Sequence, residues 1–98
     1  MSAEPLTFEL ALQILREDNP RAGEDVLRIY TAALRDFAAA EENIAKHGTI
    51  VFHPRTGAPI ENPFLRVRAG AQTSILRCKL RRTDRVWGRP WVTSEPNA

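Results

Sequence analysis

The chain has 98 residues, enough for one small domain that buries about two-thirds of its unfolded surface. Its hydrophobic fraction of 43% is ordinary, no apolar run approaches the roughly 18 to 20 residues that span a bilayer, and a single cysteine rules out an internal disulfide. The net charge of +2 conceals an asymmetry: residues 1–47 carry nine acids and five bases, residues 48–98 three acids and nine bases.

The first segment, MSAEPLTFEL, has no basic stretch ahead of an apolar core, so no secretory signal is expected; with the lone Cys78 this points to a reducing cytoplasm. Leu6, Leu10, Ala11, Ile14 and Leu15 recur at three- and four-residue spacing and predict a short amphipathic helix over residues 5–17, stopped by Asp18-Asn19-Pro20. A helix of about three turns is marginal in water, so its apolar stripe needs a partner in the next helix or in a neighbouring subunit. Residues 23–47 form the long helix, with Leu27, Tyr30, Leu34, Phe37 and Ile44 on a seam interrupted by Glu41. That seam is the candidate oligomerisation surface, and the alanines beside it permit close helix approach. Gly48 is expected to close the helix in a left-handed conformation.

Residues 48–63 read as an elbow. Thr49-Ile50-Val51-Phe52 is a β-branched and aromatic run, Pro54-Arg55-Thr56-Gly57 suits a tight turn, and Ala58-Pro59-Ile60-Glu61 returns as a second strand. Asn62 then serves as N-cap and Pro63 as the first residue of a third helix, because its missing N–H costs nothing there. This helix is predicted over residues 63–82. Its apolar positions, Phe64, Leu65, Val67, Ala71, Ile75, Leu76, Cys78 and Leu80, cover more than one face and call for two neighbours, while Gly70 suggests a close helix crossing. The fold class is therefore mainly α: a helical hairpin of two long helices joined by a short β-hairpin elbow, with a short N-terminal helix and an extended C-terminal tail. Residues 1–82 make one helical oligomerisation domain and residues 83–98 an extended, basic, Trp-containing tail.

Chemistry-bearing constellations are sparse. His47, His53 and Cys78 have no metal-ligand spacing, Glu41 and Glu42 point to different helix faces, and no glycine-rich phosphate loop is present. No enzymatic activity, metal or cofactor is expected. Cys78 lies on an apolar stripe, which favours a packing role over a reactive one. The distinctive stretch is basic: Arg77, Lys79, Arg81, Arg82, Arg85 and Arg89 stand against Asp84 alone and are the candidate nucleic-acid contacts, the plain alternative being a solvated helix end. Trp87 and Trp91 within it suit stacking on bases or filling a partner's pocket; alternatively they fold back on the chain's own core.

The run Ile29-Tyr30-Thr31-Ala32-Ala33-Leu34, the segment AEENIAKHG ending at Gly48, the Thr56-Gly57 turn, and Glu61-Asn62-Pro63-Phe64-Leu65 opening a helix of the form NPxLxVxxxAxxxILR resemble, in that order, the phage terminase small-subunit family over residues 26–80. The resemblance implies a ring-forming homo-oligomer that binds double-stranded viral DNA and hands it to the terminase large subunit, which holds the ATPase and nuclease, in the cytoplasm of a bacterial host. Family members continue after the third helix with a GLTP-like turn, where this chain has Arg81-Arg82-Thr83-Asp84-Arg85. Family members also carry a longer N-terminal region than the one that precedes the long helix here, and such a shortened form is similar to relatives in prophages and gene transfer agents and implies little sequence preference. The alternatives are a dimeric DNA-binding transcriptional regulator, against which stands the lack of a helix–turn–recognition-helix pattern, and a protein-interaction module with no nucleic-acid role.

Overall fold

The computed structural model describes residues 4–92. The order of elements is α1 (Phe8–Asp18), α2 (Glu24–His47), β1 (Ile50–Phe52), β2 (Pro59–Glu61) and α3 (Phe64–Cys78), so the chain is mainly helical with a two-stranded antiparallel hairpin between its longest helices. The molecule measures 49 × 31 × 24 Å.

Helix α1 starts later than residue 5. The Thr7 side chain accepts the Leu10 N–H at 3.1 Å and caps the helix, because a threonine hydroxyl satisfies a free N–H that Pro5 and Leu6 cannot. Leu6 is instead extended: its N–H donates to the Pro90 carbonyl and its carbonyl accepts from the Val92 N–H, both at 2.8 Å, in a parallel bridge with Trp91. Helix α1 docks on α2 of the same chain, and Leu6, Leu12, Leu15, Leu27, Tyr30, Leu34 and Val86 form the core between them. Leu27, Tyr30 and Leu34, expected at a subunit interface, are only 1%, 2% and 5% exposed. Their half of the seam is filled from within the subunit, so it does not serve oligomerisation; Phe37 and Ile44, further along, are half-buried.

Gly48 ends α2 with its N–H on the Ile44 carbonyl and φ of 86°, as the left-handed expectation requires, but ψ is 178°, a region open essentially to glycine alone. The hairpin pairs Ile50 with Glu61, Val51 with Ile60 and Phe52 with Pro59. At its tip the His53 imidazole Nδ1 accepts the N–H groups of Arg55 and Thr56, and Gly57 takes φ of 74°. Pro63 already has helical dihedrals, and the Asn62 carboxamide oxygen accepts the Phe64 N–H at 2.9 Å, giving the cap that the Asn-Pro pair implies. The same side chain donates to Asn43 Oδ1 at 2.9 Å and to the Gly48 carbonyl at 2.8 Å, which fastens the start of α3 to the end of α2.

Helix α3 runs back antiparallel along α2. Asn62 meets Asn43, Arg68 reaches Glu41 at 3.5 Å, and the Cys78 thiol donates to the Val26 carbonyl. It ends at Cys78 rather than residue 82, because Lys79 turns left-handed (φ 53°, ψ 38°) and the Arg81 N–H is taken by the Asn19 side chain at the end of α1. Gly70 marks no close crossing: it is exposed, and a methyl group added there would meet nothing within 4 Å. The buried residue of α3 is Ala71, while Leu76 is 75% exposed, so one face of this helix has no neighbour among the described residues. Residues 79–92 follow without a helix, as expected of a tail. They do not stand apart from residues 1–82, however: Val86 enters the core and Trp91 pairs with Leu6. The remaining tail residues of that expectation, 93–98, lie outside the described residues.

Candidate nucleic-acid interface and an aromatic groove

Basic residues after α3 are positioned by a tight turn. The Thr83 hydroxyl accepts the Arg85 N–H, and the Thr83 carbonyl accepts those of Val86 and Trp87. This turn drops Val86 into the core, and the six candidate cations fall into three different settings. Arg85 turns inward along the surface of α1, donating to Glu17 and Asp18 at 3.0 Å each; the hydrogen bond to Glu17, followed by that to Asp18, raises its pKa further. Arg89 donates to the backbone carbonyls of Arg85 and Glu4. Both side chains hold the tail in place, so they are not free phosphate contacts. The Arg82 guanidinium lies 4.6 Å above the Trp87 ring, a cation–π arrangement that leaves its N–H edge in solvent.

Arg77, Lys79 and Arg81 remain. All three are exposed and form no ion pair among the described residues. They fall on the last turn of α3 and the three residues beyond it, where Asn19 fixes the Arg81 backbone. The cluster is also next to the free carbonyl end of α3, where positive charge is favoured. Cys78 between them is half-buried, and desolvation raises its thiol pKa, which makes it a packing residue rather than a nucleophile.

Trp87 and Trp91 fold back on their own chain. Trp87 stands edge-on to Phe37 with ring centroids 6.0 Å apart, and both indoles are half-buried. Between this segment and the second half of α2 runs an open groove of about 980 Å³, floored by Phe37, Ala38, Trp87 and Trp91 and rimmed by Asp36 and Glu42. Neither acid has an ion-pair partner among the described residues. Sequence reasoning did not find this groove, because its two walls are separated by about half the chain and meet only when the tail docks. Phe52, read simply as a strand residue, is 70% exposed; the alternation of Ile50, Val51 and Phe52 carried that signal, since one of its two faces had to point away from the helices.

No group of three or more His, Cys, Asp or Glu side chains is arranged to hold a metal among the described residues, and no helix among them is long and apolar enough to cross a membrane. No protein-family model, curated protein or solved structure matches the chain.

Proposed function

We propose that this chain is a non-enzymatic small subunit of a phage-type DNA-packaging motor: a ring-forming homo-oligomer that binds duplex DNA with little sequence preference and hands it to a large ATPase and nuclease subunit in a bacterial cytoplasm. The observation that carries the reading is the elbow. The residues on which the chain resembles the terminase small subunits, Gly48, Thr56-Gly57 and Asn62-Pro63, are those that build the turn between two antiparallel helices. Arg77, Lys79 and Arg81 supply neighbouring cations with no ion-pair partner among the described residues, and a ring multiplies a weak patch through effective concentration.

The test is a salt titration of labelled duplexes of unrelated sequence. Affinity is expected to fall as salt rises, with similar values for all duplexes, because most contacts are to phosphate. Replacing Arg77, Lys79 and Arg81 together by Ala should flatten the log–log slope by about 0.9 for each phosphate no longer neutralised. Arg85→Ala, which removes a cation already tied to α1, should leave the slope unchanged. Salt-independent binding, or a triple variant equal to the parent, would instead favour the second reading, a protein-interaction module. That reading draws support from the internal engagement of Arg85 and Arg89 and from the aromatic groove.

A further inference from the structure

The elbow hairpin presents an outward face that is unusual for a two-stranded sheet. On such a hairpin the face away from the helices is ordinarily polar. Here β1 turns Val51 toward the protein and leaves Ile50 and Phe52 at 56% and 70% exposure; the cross-strand partner of Phe52 is the exposed Pro59, while that of Ile50 is the exposed Glu61, so the apolar part of the face lies toward the tip, around Phe52. An isolated large apolar side chain at a surface needs no explanation, but Ile50, Phe52 and Pro59 side by side on a hairpin, edged by the one carboxylate of Glu61, form a contact surface. Arg55, at the tip, adds a positive charge with no ion-pair partner among the described residues.

The groove between α2 and residues 86–92 has the opposite character. It is concave where the hairpin projects and offers the rings of Phe37, Trp87 and Trp91. Of the charged residues that line it, Glu41 pairs with Arg68, Arg89 is held by backbone carbonyls and Arg35 lies over the Phe8 ring, which leaves Asp36 and Glu42 as carboxylates with no ion-pair partner among the described residues. Its volume of about 980 Å³ exceeds what one side chain fills and suits a pair of neighbouring side chains with their strand.

We propose that the Phe52 face of the hairpin of one copy seats in the Trp87–Trp91 groove of a second copy, with Arg55 directed toward Asp36 and Glu42. Ring against ring supplies the apolar contact and edge-to-face geometry that aromatic pairs favour, and the opposite charges fix the orientation of approach. The contact joins two different surfaces of the same chain. It therefore leaves a free hairpin at one end of any assembly and a free groove at the other, the condition under which subunits add until a ring closes. The inference deepens the packaging reading by giving its ring an interface other than Leu27, Tyr30 and Leu34 of the α2 seam, which are buried within the chain, and by bringing Phe37, further along that seam, into the contact.

The experiment uses the whole chain and two variants at exposed positions. Phe52→Asp spoils the hairpin and leaves the groove intact; Ala39→Arg, on the groove wall, blocks the groove and opposes Arg55 while leaving the hairpin intact. Circular dichroism should show both folded as the parent. By light scattering at micromolar concentration the parent is expected to self-associate, and each variant alone to associate roughly tenfold or more weakly, as removal of a central aromatic anchor implies. An equimolar mixture of the two should restore association as a one-to-one pair, because one sound hairpin then meets one sound groove. A monomeric parent overturns the inference and the ring together. Association that survives Phe52→Asp, or a mixture that fails to pair, overturns the inference alone and leaves an assembly through another surface. Restored pairing in a protein without salt-dependent DNA binding upholds the inference while the packaging reading fails.

Discussion

Asn62 is 1% exposed and uses both donors and the acceptor oxygen of its side chain, on Asn43, Gly48 and Phe64. Asn62→Ala would leave the Gly48 carbonyl and the Phe64 N–H, both in partly buried hydrogen bonds, without their side-chain partner, so a loss of about 2 to 3 kcal/mol is expected in urea denaturation, more than the roughly 1 kcal/mol of a simple cap. Asn62→Asp should also destabilise, since a carboxylate oxygen would face the Gly48 carbonyl at the position of a donor. The capping half of this role was legible in the Asn-Pro pair ahead of a helical pattern. The other half was not, because the bonds to Asn43 and Gly48 depend on the antiparallel register of α2 and α3. Two glycines show the same divide. Gly48 has a positive φ and an extended ψ, so Gly48→Ala should cost about 1 to 3 kcal/mol. Gly70 sits in open space in a helix, so Gly70→Ala should raise stability by about 0.5 to 1 kcal/mol in the same assay. A helical glycine reads alike in sequence whether or not another backbone approaches it; packing alone separates the two cases.

Residues 79–92 and helix α1 hold each other. Val86 is 2% exposed in the core, and truncation to Ala removes two buried carbons, for an expected cost of about 2 kcal/mol. Its more informative readout is fluorescence. Both tryptophans of the chain lie in this segment, so Val86→Ala should shift emission to the red at denaturant concentrations where the helical circular dichroism is still native. Arg16 and Glu24 tie the end of α1 to the start of α2 at 2.7 Å. The hydrogen bond from Arg16, helped by attraction to Arg16 and Arg28, lowers the Glu24 pKa. A carboxylate whose pKa is lower folded than unfolded contributes stability above the ordinary glutamate range and loses it as pH falls through the lowered value. Melting temperatures of the parent and Glu24→Gln should therefore differ at neutral pH and converge in acid, with a small gap that salt narrows, because both side chains are about half exposed. The composition made the abundance of arginine after α3 plain. It could not show that Arg85 reaches back to Glu17 and Asp18, 67 and more positions earlier, and is thus withdrawn from the candidate contact set.

At the scale of the whole molecule, the number, order and type of elements were readable because each is announced by its own period and punctuation, from the α2 seam to the elbow turn. Which apolar stripe covers which was not. The stripe of α1 and the seam of α2 each needed a partner, and pairing them with one another inside a single chain, or with copies outside it, satisfies the same hydrophobic arithmetic. The pairing chosen gathers the core at one end. Leu27, Tyr30 and Leu34, the contributions of α2 to that core, all fall in its first half, while its second half reaches the elbow with α3 and the tail beside it. A single uninterrupted helix of 24 residues thus connects a thick end to a thin one. Opening the thin end, by parting the elbow and the adjoining turns of α2 and α3, exposes less apolar surface than unfolding the whole, so it should occur more often. Amide hydrogen exchange would register this as a gradient along one helix: slowest near Tyr30, at the rate of global unfolding, and faster from Ala40 toward His47. If the hairpin is held by another copy, the fast half should slow on assembly and the slow half should not, so that association is recorded as a levelling of protection along α2.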